Sequence, residues 1–267
     1  MTIKEMNDRR KELGYSYGRV AELSGVPVGT VQKVLGGITK SPRYETLKAL
    51  EQALRAKDDY VYDWEKDSSV RETIAYGAKR QGLYTVDDYY VLSEDERLEL
   101  IDGVLYSVSS PSSIHQVIAG KIYSKLENYI MGKNGKCVPI VSPMDVQLDC
   151  DEKTILQPDV MVVCDRDKIK RGVVYGAPDF VVEVLSPSTR RRDKTLKLNK
   201  YTNAGVREYW MVDPKKKTIV VYVDDGEEDY DIFLYTFEHE VPVRIFNGEC
   251  KINFKEIYDY IAFMYEK

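Results

Sequence analysis

Residues 179–186 read DFVVEVLS, and the glutamate inside that run constrains what the chain can fold into. Val181, Val182, Val184 and Leu185 mark a strand buried within a sheet. Side chains alternate along a strand, so Val182 and Val184 share one face and Glu183 shares the other with Val181 and Leu185. A carboxylate in such a place does nothing for solubility. It needs a compensating cation, either a buried lysine or a bound metal ion.

A second acid stands in a comparable setting. LQPDVMVVC places Asp159 at the mouth of another apolar strand, 24 residues before Glu183. Alone, Asp159 reads as a strand cap after Pro158. Paired with Glu183 on a neighbouring strand, it offers the rigid carboxylate oxygens that Mg²⁺ or Mn²⁺ requires. The next segment, STRRRDKTLKLNKY, carries Arg190, Arg191, Arg192, Lys194, Lys197 and Lys200 against the single acid Asp193. On a helix starting near Asp193, Lys197 lies one turn on and Tyr201 another, so a lysine can point back at the carboxylates.

The rest of residues 83–267 mixes strands and helices. Strands are expected at 104–110, CVPIV, MDVQLD, DVMVVC, DFVVEVLS, EYWMVD, TIVVYV and DIFLYTF. Residues 112–131 predict a long helix with Ile114, Val117, Ile118, Ile122, Leu126 and Tyr129 inward, and helices are also expected near 193–204 and 254–264. This pattern predicts an α/β or α+β domain around one mixed central sheet. Residues 57–82, acidic and aromatic and then weakly patterned, read as a linker.

Residues 1–56 predict a small all-α domain of four short helices. Ile3, Met6, Arg10 and Leu13 form the first stripe, with Gly14 as its stop. Tyr17, Val20 and Ala21 begin a second helix ending at Ser24–Gly25. Pro27 opens a third with Val31, Val34 and Leu35, stopped by Gly36–Gly37. Ser41–Pro42 open a fourth with Tyr44, Leu47, Leu50 and Leu54 on one face. Ala21, Gly25 and Val31 supply the small crossing residue, the sharp turn and the apolar anchor of a helix-turn-helix. With its flanking helices the segment resembles the lambda-repressor/Cro-like family. That resemblance implies that the third helix faces a DNA major groove, with Thr30, Gln32 and Lys33 as contacts to bases or phosphates. Val28 and Gly29 stand where polar base-readers are usual, which weakens base-specific readout.

ERLELIDGVL, QPDVMVV, DFVVEVLSPSTRRRDK with the lysine and tyrosine that follow, and AGVREYWMVDP together resemble the Uma-two family, a branch of the PD-(D/E)xK nuclease superfamily, over about residues 83–260. The resemblance implies a restriction-endonuclease-like core acting on DNA. It implies that Asp159 and Glu183 are metal ligands and that Glu99 is the additional acid, bound directly or through water. The usual lysine two residues after the acid is replaced by Leu185, and the family pattern moves it to Lys197. His115 and Gln157 match positions lining the cleft, and Arg190, Arg191 and Arg192 would grip flanking phosphates.

Charge and cysteine content bound the remaining options. The net charge is -5, yet residues 1–57 carry 11 lysines and arginines against 6 acids while the remainder carries 28 against 38. A basic head on an acidic body suits DNA contact through the head. No apolar run approaches the length of a membrane span, and the charged N-terminus lacks a signal core, so a cytoplasmic location is expected. Cys137, Cys150, Cys164 and Cys250 lack metal-site spacing and are expected as free thiols. Cutting two strands needs two sites, which points to a homodimer. The competing readings are a non-catalytic DNA-binding regulator that keeps the nuclease fold, and a self-associating interaction protein.

Overall fold

The computed structural model describes residues 1–12, 15, 17–37, 39, 42–55, 79–91, 97–149, 151–187, 189–224, 226 and 230–266. The expected stop at Gly14, the cap at Ser41, most of the linker and Cys150 lie outside these residues. The described residues form two compact units, treated separately below. Among them no helix is long and apolar enough to cross a membrane.

The smaller unit contains α1 (Ile3–Glu12), α2 (Tyr17–Ser24), α3 (Val28–Leu35) and α4 (Tyr44–Arg55). Met6, Val20, Val31, Val34, Leu35, Leu50 and Leu54 close its core. Gly25 ends α2 at φ +67°, a conformation that favours a residue without Cβ, and its N–H donates to the Ala21 carbonyl at 2.8 Å. Arg10, the odd member of the first stripe, is buried. Its guanidinium donates to the Tyr15 carbonyl at 2.7 Å and lies 4.2 Å from the Tyr17 ring centroid. Tyr44, expected inward, is 74% exposed. It lies about 100° round α4 from Leu50 and Leu54, off the edge of their stripe.

The larger unit opens with α5 (Val86–Val91) and the hairpin β1 (Leu98–Ile101) and β2 (Val104–Ser107). Asp102 and Gly103 turn that hairpin with positive φ, +51° and +78°. Then follow α6 (Ser113–Gly132), β3 (Val138–Val141), β4 (Asp145–Gln147), β5 (Val160–Val163), β6 (Ile169–Lys170), β7 (Val173–Tyr175) and β8 (Phe180–Val184). Next is a helical segment in three parts: α7 (Arg190–Arg192), a π-helical turn (Asp193–Lys197) and α8 (Leu198–Ala204). The chain closes through β9 (Glu208–Asp213), β10 (Thr218–Asp224), β11 (Tyr230–Thr236), β12 (Glu240–Pro242), β13 (Lys251–Asn253) and α9 (Phe254–Ile261).

Six strands form the central sheet in the order β11-β10-β9-β8-β5-β3. It is mixed: β8 and β9 run parallel, whereas β3–β5, β5–β8 and β9–β10 are antiparallel. On one face, Val160, Val162, Phe180, Val182, Val184, Trp210 and Val212 pack with Ile118, Ile122, Leu126 and Ile130 of α6 and with α9. Tyr201 of α8 packs against Tyr209 of β9, with ring centroids 5.0 Å apart. The α6 stripe is turned by about one position from the expected one. His115, Ala119 and Ile130 are buried with Ile118, Ile122 and Leu126, while Ile114, Val117 and Tyr129 flank them.

The cysteine expectation is corrected. Cys137 and Cys164 form a disulfide, and Cys250 is buried and free. The β3–β5 register pairs Val138 with Val163, and one further step sets Cys137 opposite Cys164. Twenty-seven residues of separation hide that pairing from the sequence. A disulfide is unusual in a reducing compartment, so cysteine content no longer supports the cytoplasmic expectation.

Candidate active site

The β5–β8 register builds the centre of the site. It pairs Val160 with Val182 and Met161 with Val181. One step beyond, Asp159 falls opposite Glu183, and the Asp159 Oδ2 accepts the Val184 N–H at 2.7 Å. Alternation turns Glu183 away from the valine face that packs on α6, while Asp159 stands at the mouth of β5 beside the first turn of that helix. Glu99 arrives from the middle of β1, all four of whose residues are buried. An isolated bridge between Leu100 and Ile155 ties that strand to the segment leading into Gln157.

The π-helical turn supplies the opposing charge. Four α-helical residues overshoot a full turn by about 40°. An i→i+5 turn holds more residues and undershoots. One π turn followed by one α turn therefore lines up Asp193, Lys197 and Tyr201 on one face. The buried Lys197 Nζ lies 2.7 Å from Glu99 Oε1, 2.9 Å from Glu183 Oε1 and 3.7 Å from Asp193 Oδ1. The Tyr201 hydroxyl donates to the same Glu183 Oε1 at 2.7 Å. Arg192, also buried, places Nη2 3.4 Å from Glu99 Oε2 and stacks 5.0 Å from the Tyr106 ring.

Two further groups line the cleft. His115, buried in the first turn of α6, sets Nε2 3.0 Å from Asp159 Oδ2. Gln157 donates its backbone N–H to Glu99 Oε1 at 3.1 Å, and its side chain is held by Asp145 at 2.8 Å and Tyr89 at 3.2 Å. The cleft, open to solvent, is bounded by Glu99, His115, Asp159, Glu183, Arg192 and Lys197 among others.

Burial and mutual repulsion dominate the electrostatics. Burial pushes the Glu183 carboxyl well above its ordinary range against the pull of Lys197, and Asp159, Asp193 and Glu99 add to it. Burial likewise pushes Asp193 up to about 6. Burial alone would raise Glu99, but Lys197 and Arg192 hold it below its ordinary value. Burial disfavours the charged form of Lys197, yet Glu183, Glu99 and Asp193 outweigh it and raise its pKa. Burial also opposes the His115 imidazolium, and the Asp159 carboxylate reverses that to a raised pKa.

Each strand-borne acid is pinned through one oxygen only. Glu99 Oε1 takes Lys197 and the Gln157 N–H, Glu183 Oε1 takes Lys197 and Tyr201, and Asp159 Oδ2 takes the Val184 N–H and His115. Among the described residues no hydrogen bond reaches the second oxygen of any of the three, and Glu99 Oε2 is fully buried in that condition. Arg192 Nη2 faces Glu99 Oε2 at ion-pair distance, and the second oxygens of Asp159 and Glu183, hard and rigidly held, fit a divalent ion by their chemistry. Among the described residues no three His, Cys, Asp or Glu side chains already stand as a metal-holding group. The Lys197 ammonium occupies the ground between Glu99 and Glu183.

Residues 86–253 match the Uma2 family, described as "Putative restriction endonuclease". The chain belongs to the Uma2 family. A second match, to a helix-turn-helix family, covers residues 6–61. The uncharacterized protein slr1290 of Synechocystis sp. is 30% identical over 150 residues, 56% of this chain and 77% of that protein. A crystal structure titled as a "putative nuclease belonging to DUF820" from Anabaena variabilis superposes with a TM-score of 0.54 at 21% identity, covering 66% of this chain and 98% of that one. At that identity the likeness establishes the fold, a restriction-endonuclease-like core preceded here by a helix-turn-helix region.

Within this Uma2 chain the structure brings Glu99, Asp159, Glu183, Lys197, His115 and Gln157 together around one cleft. It does not place the arginine run on a solvated loop. Arg192 is buried against Glu99, and Arg190 forms a two-pronged ion pair with Asp213, whose Oδ1 accepts from Nη2 at 2.9 Å. Only Arg191 of the three is exposed. In the separate helical unit, Val31, Val34 and Leu35 of α3 face the core, Thr30 and Gln32 are half-buried, and Lys33 is exposed. Sequence reasoning assigns no role to Tyr201 or Asp193, and gives Arg192 a phosphate grip where the structure sets it against Glu99. Their signal was positional: they sit four residues either side of Lys197, or five before it.

Proposed function

We propose that this Uma2 protein is a divalent-metal-dependent endonuclease that hydrolyses DNA phosphodiester bonds. The observation that carries this reading is the set of three acids, each held through one oxygen, with the second oxygens of Asp159 and Glu183 without a hydrogen-bond donor among the described residues and that of Glu99 facing Arg192 at 3.4 Å. Asp159, Glu183 and Glu99 would hold Mg²⁺ or Mn²⁺ through those oxygens. A bound divalent ion supplies charge neutralisation on the phosphate and an ionised water at neutral pH. Lys197 places a permanent positive charge beside the two glutamates, where it stabilises a developing phosphorane or orients water. Arg192 and His115 add donors at the cleft wall.

The test is digestion of supercoiled plasmid with Mg²⁺ or Mn²⁺ and with chelator. Nicked and linear products that vanish on chelation are expected. Intact plasmid in every lane would defeat the proposal.

A second reading, a DNA-binding regulator with a retired nuclease fold, draws on one observation: Lys197 neutralises Glu99 and Glu183 internally. Chelator-insensitive inertness together with a DNA gel shift would favour it. In either reading we assign DNA contact to residues 1–56, joined by 57–82 to a nuclease-fold body of 83–267 that acts as a homodimer. Helix α3 would enter the major groove through Thr30, Gln32 and Lys33. Gln32→Ala with Lys33→Ala is expected to weaken DNA retention about tenfold at physiological salt and to lower the log–log salt slope by about one. An unchanged slope would exclude α3 from the interface.

A further inference from the structure

Tyr201 is placed where it can do more than fill the core. It has no exposed surface, its ring packs on Tyr209, and its hydroxyl donates to Glu183 Oε1 at 2.7 Å. Lys197 donates to that same oxygen at 2.9 Å, so both hydrogen bonds to Glu183 arrive at one atom. A carboxylate fixed through Oε1 cannot rotate about its terminal torsion, which is otherwise broad and two-fold. Its Oε2 is then the oxygen left to the cleft that Glu183 lines. Lys197 alone cannot fix this orientation, because its ammonium is shared with Glu99 and Asp193.

We infer that Tyr201 is a positioning residue that locks Glu183 so that Oε2 is presented to a divalent cation in the cleft. The inference rests on the metal-site reading proposed above. Partners that orient a metal ligand typically change affinity or activity 10–100-fold when removed. Tyr209 provides an internal control. It is equally buried in the same ring stack, but its hydroxyl donates to the Asp193 carbonyl at 3.2 Å and not to Glu183.

The experiment is Mn²⁺ titration of the full chain, followed by the electron paramagnetic resonance of free Mn²⁺, alongside single-turnover DNA cleavage. Tyr201→Phe is expected to weaken Mn²⁺ binding about tenfold or more and to slow cleavage at saturating Mn²⁺ by a similar factor. DNA affinity measured without metal stays within about twofold. Tyr209→Phe, with a matching shift in thermal midpoint, keeps the unsubstituted chain's Mn²⁺ affinity. In a Glu183→Gln background, Tyr201→Phe adds no further loss, because the coupling runs through that carboxylate. Equal Mn²⁺ affinities for Tyr201→Phe and the unsubstituted chain, or equal losses in Tyr201→Phe and Tyr209→Phe, would reduce Tyr201 to packing and leave the metal site standing. If Tyr201→Phe fails to fold, Tyr201→Met, which is smaller and flexible and cannot place a hydroxyl on Glu183, is titrated instead with the same expected loss. Failure of the unsubstituted chain to take up Mn²⁺ would remove the metal site and Tyr201's role together.

Discussion

Lys197→Met is expected to abolish DNA cleavage and to cost the fold about 3–5 kcal/mol near pH 8, the range for removing one partner of a buried ionic cluster. Methionine keeps most of the aliphatic volume, so the loss is electrostatic. Among the described residues, Glu99, Glu183 and Asp193 are left with Arg192 as their one close permanent cation. The cost depends on pH, and its sign follows from proton binding. Asp193 titrates at about 6 in the folded chain against an ordinary 3.8. Between those values the folded state binds more protons than the unfolded one, so stability falls as pH rises. Lys197 limits that effect, because its charge holds the pKa values of Asp193 and Glu183 down. Without it the carboxyls take up protons at low pH and remain repulsive at high pH. Urea unfolding at pH 5 and pH 8 is expected to show a small loss at the lower pH and the full loss at the higher. Equal losses at the two values would mean that Lys197 contributes by packing alone.

Glu183→Gln is expected to act in opposite directions on activity and stability. Cleavage falls by at least about 10³-fold, because an amide cannot supply the anionic oxygen that the cation and the reaction require. The fold becomes more stable by about 1–2 kcal/mol above neutral pH. Glutamine keeps the volume and still accepts from Tyr201 and Lys197. Burial and the neighbouring acids hold the Glu183 pKa well above its ordinary 4.5. Its contribution to stability is therefore complete below that ordinary value and is lost as pH rises through the folded pKa. Glutamine does not titrate, so the gain is absent near pH 4 and grows toward pH 8. Denaturation midpoints set beside single-turnover rates check both halves. A variant both less stable and still active would show that Glu183 belongs to a structural ion pair.

This opposition explains which parts of the site could be read from the sequence. A glutamate among valines announces a cost, and cost at one position is visible without coordinates. Glu183 is legible on that ground, Asp159 only through its pairing with Glu183, and Lys197 as the cation one helical turn into a basic segment. Glu99 was found only through family resemblance, because LELI with one acid does not show that all four residues are buried. His115 also comes from the family resemblance; turning the α6 stripe one position reaches it independently, since it stands three residues before Ile118 and four before Ala119. Arg192 reads as one of three equivalent arginines. Only the helical phase separates the one facing Glu99 from the one facing Asp213 and the one facing solvent.

The fold was legible where periodicity is strong. The strands of the central sheet and the long α6 follow from alternation and from the 3.6-residue repeat. Strand order and register did not follow, and they are what bring Asp159 opposite Glu183 and Cys137 opposite Cys164. Nothing in DKTLK distinguishes a π turn from an α turn. Its selection is a tertiary effect, set by three partners that must all face one pair of carboxylates.

The most direct measurement is the crystal structure of the Mn²⁺-soaked protein, recorded with anomalous scattering from the metal. The account predicts one strong peak in the cleft contacting Asp159 and Glu183, with Glu99 as a direct or water-bridged ligand and the Lys197 ammonium adjacent. Lys197 still bridging Glu99 and Glu183 at saturating Mn²⁺, with no peak beside Asp159, would contradict it.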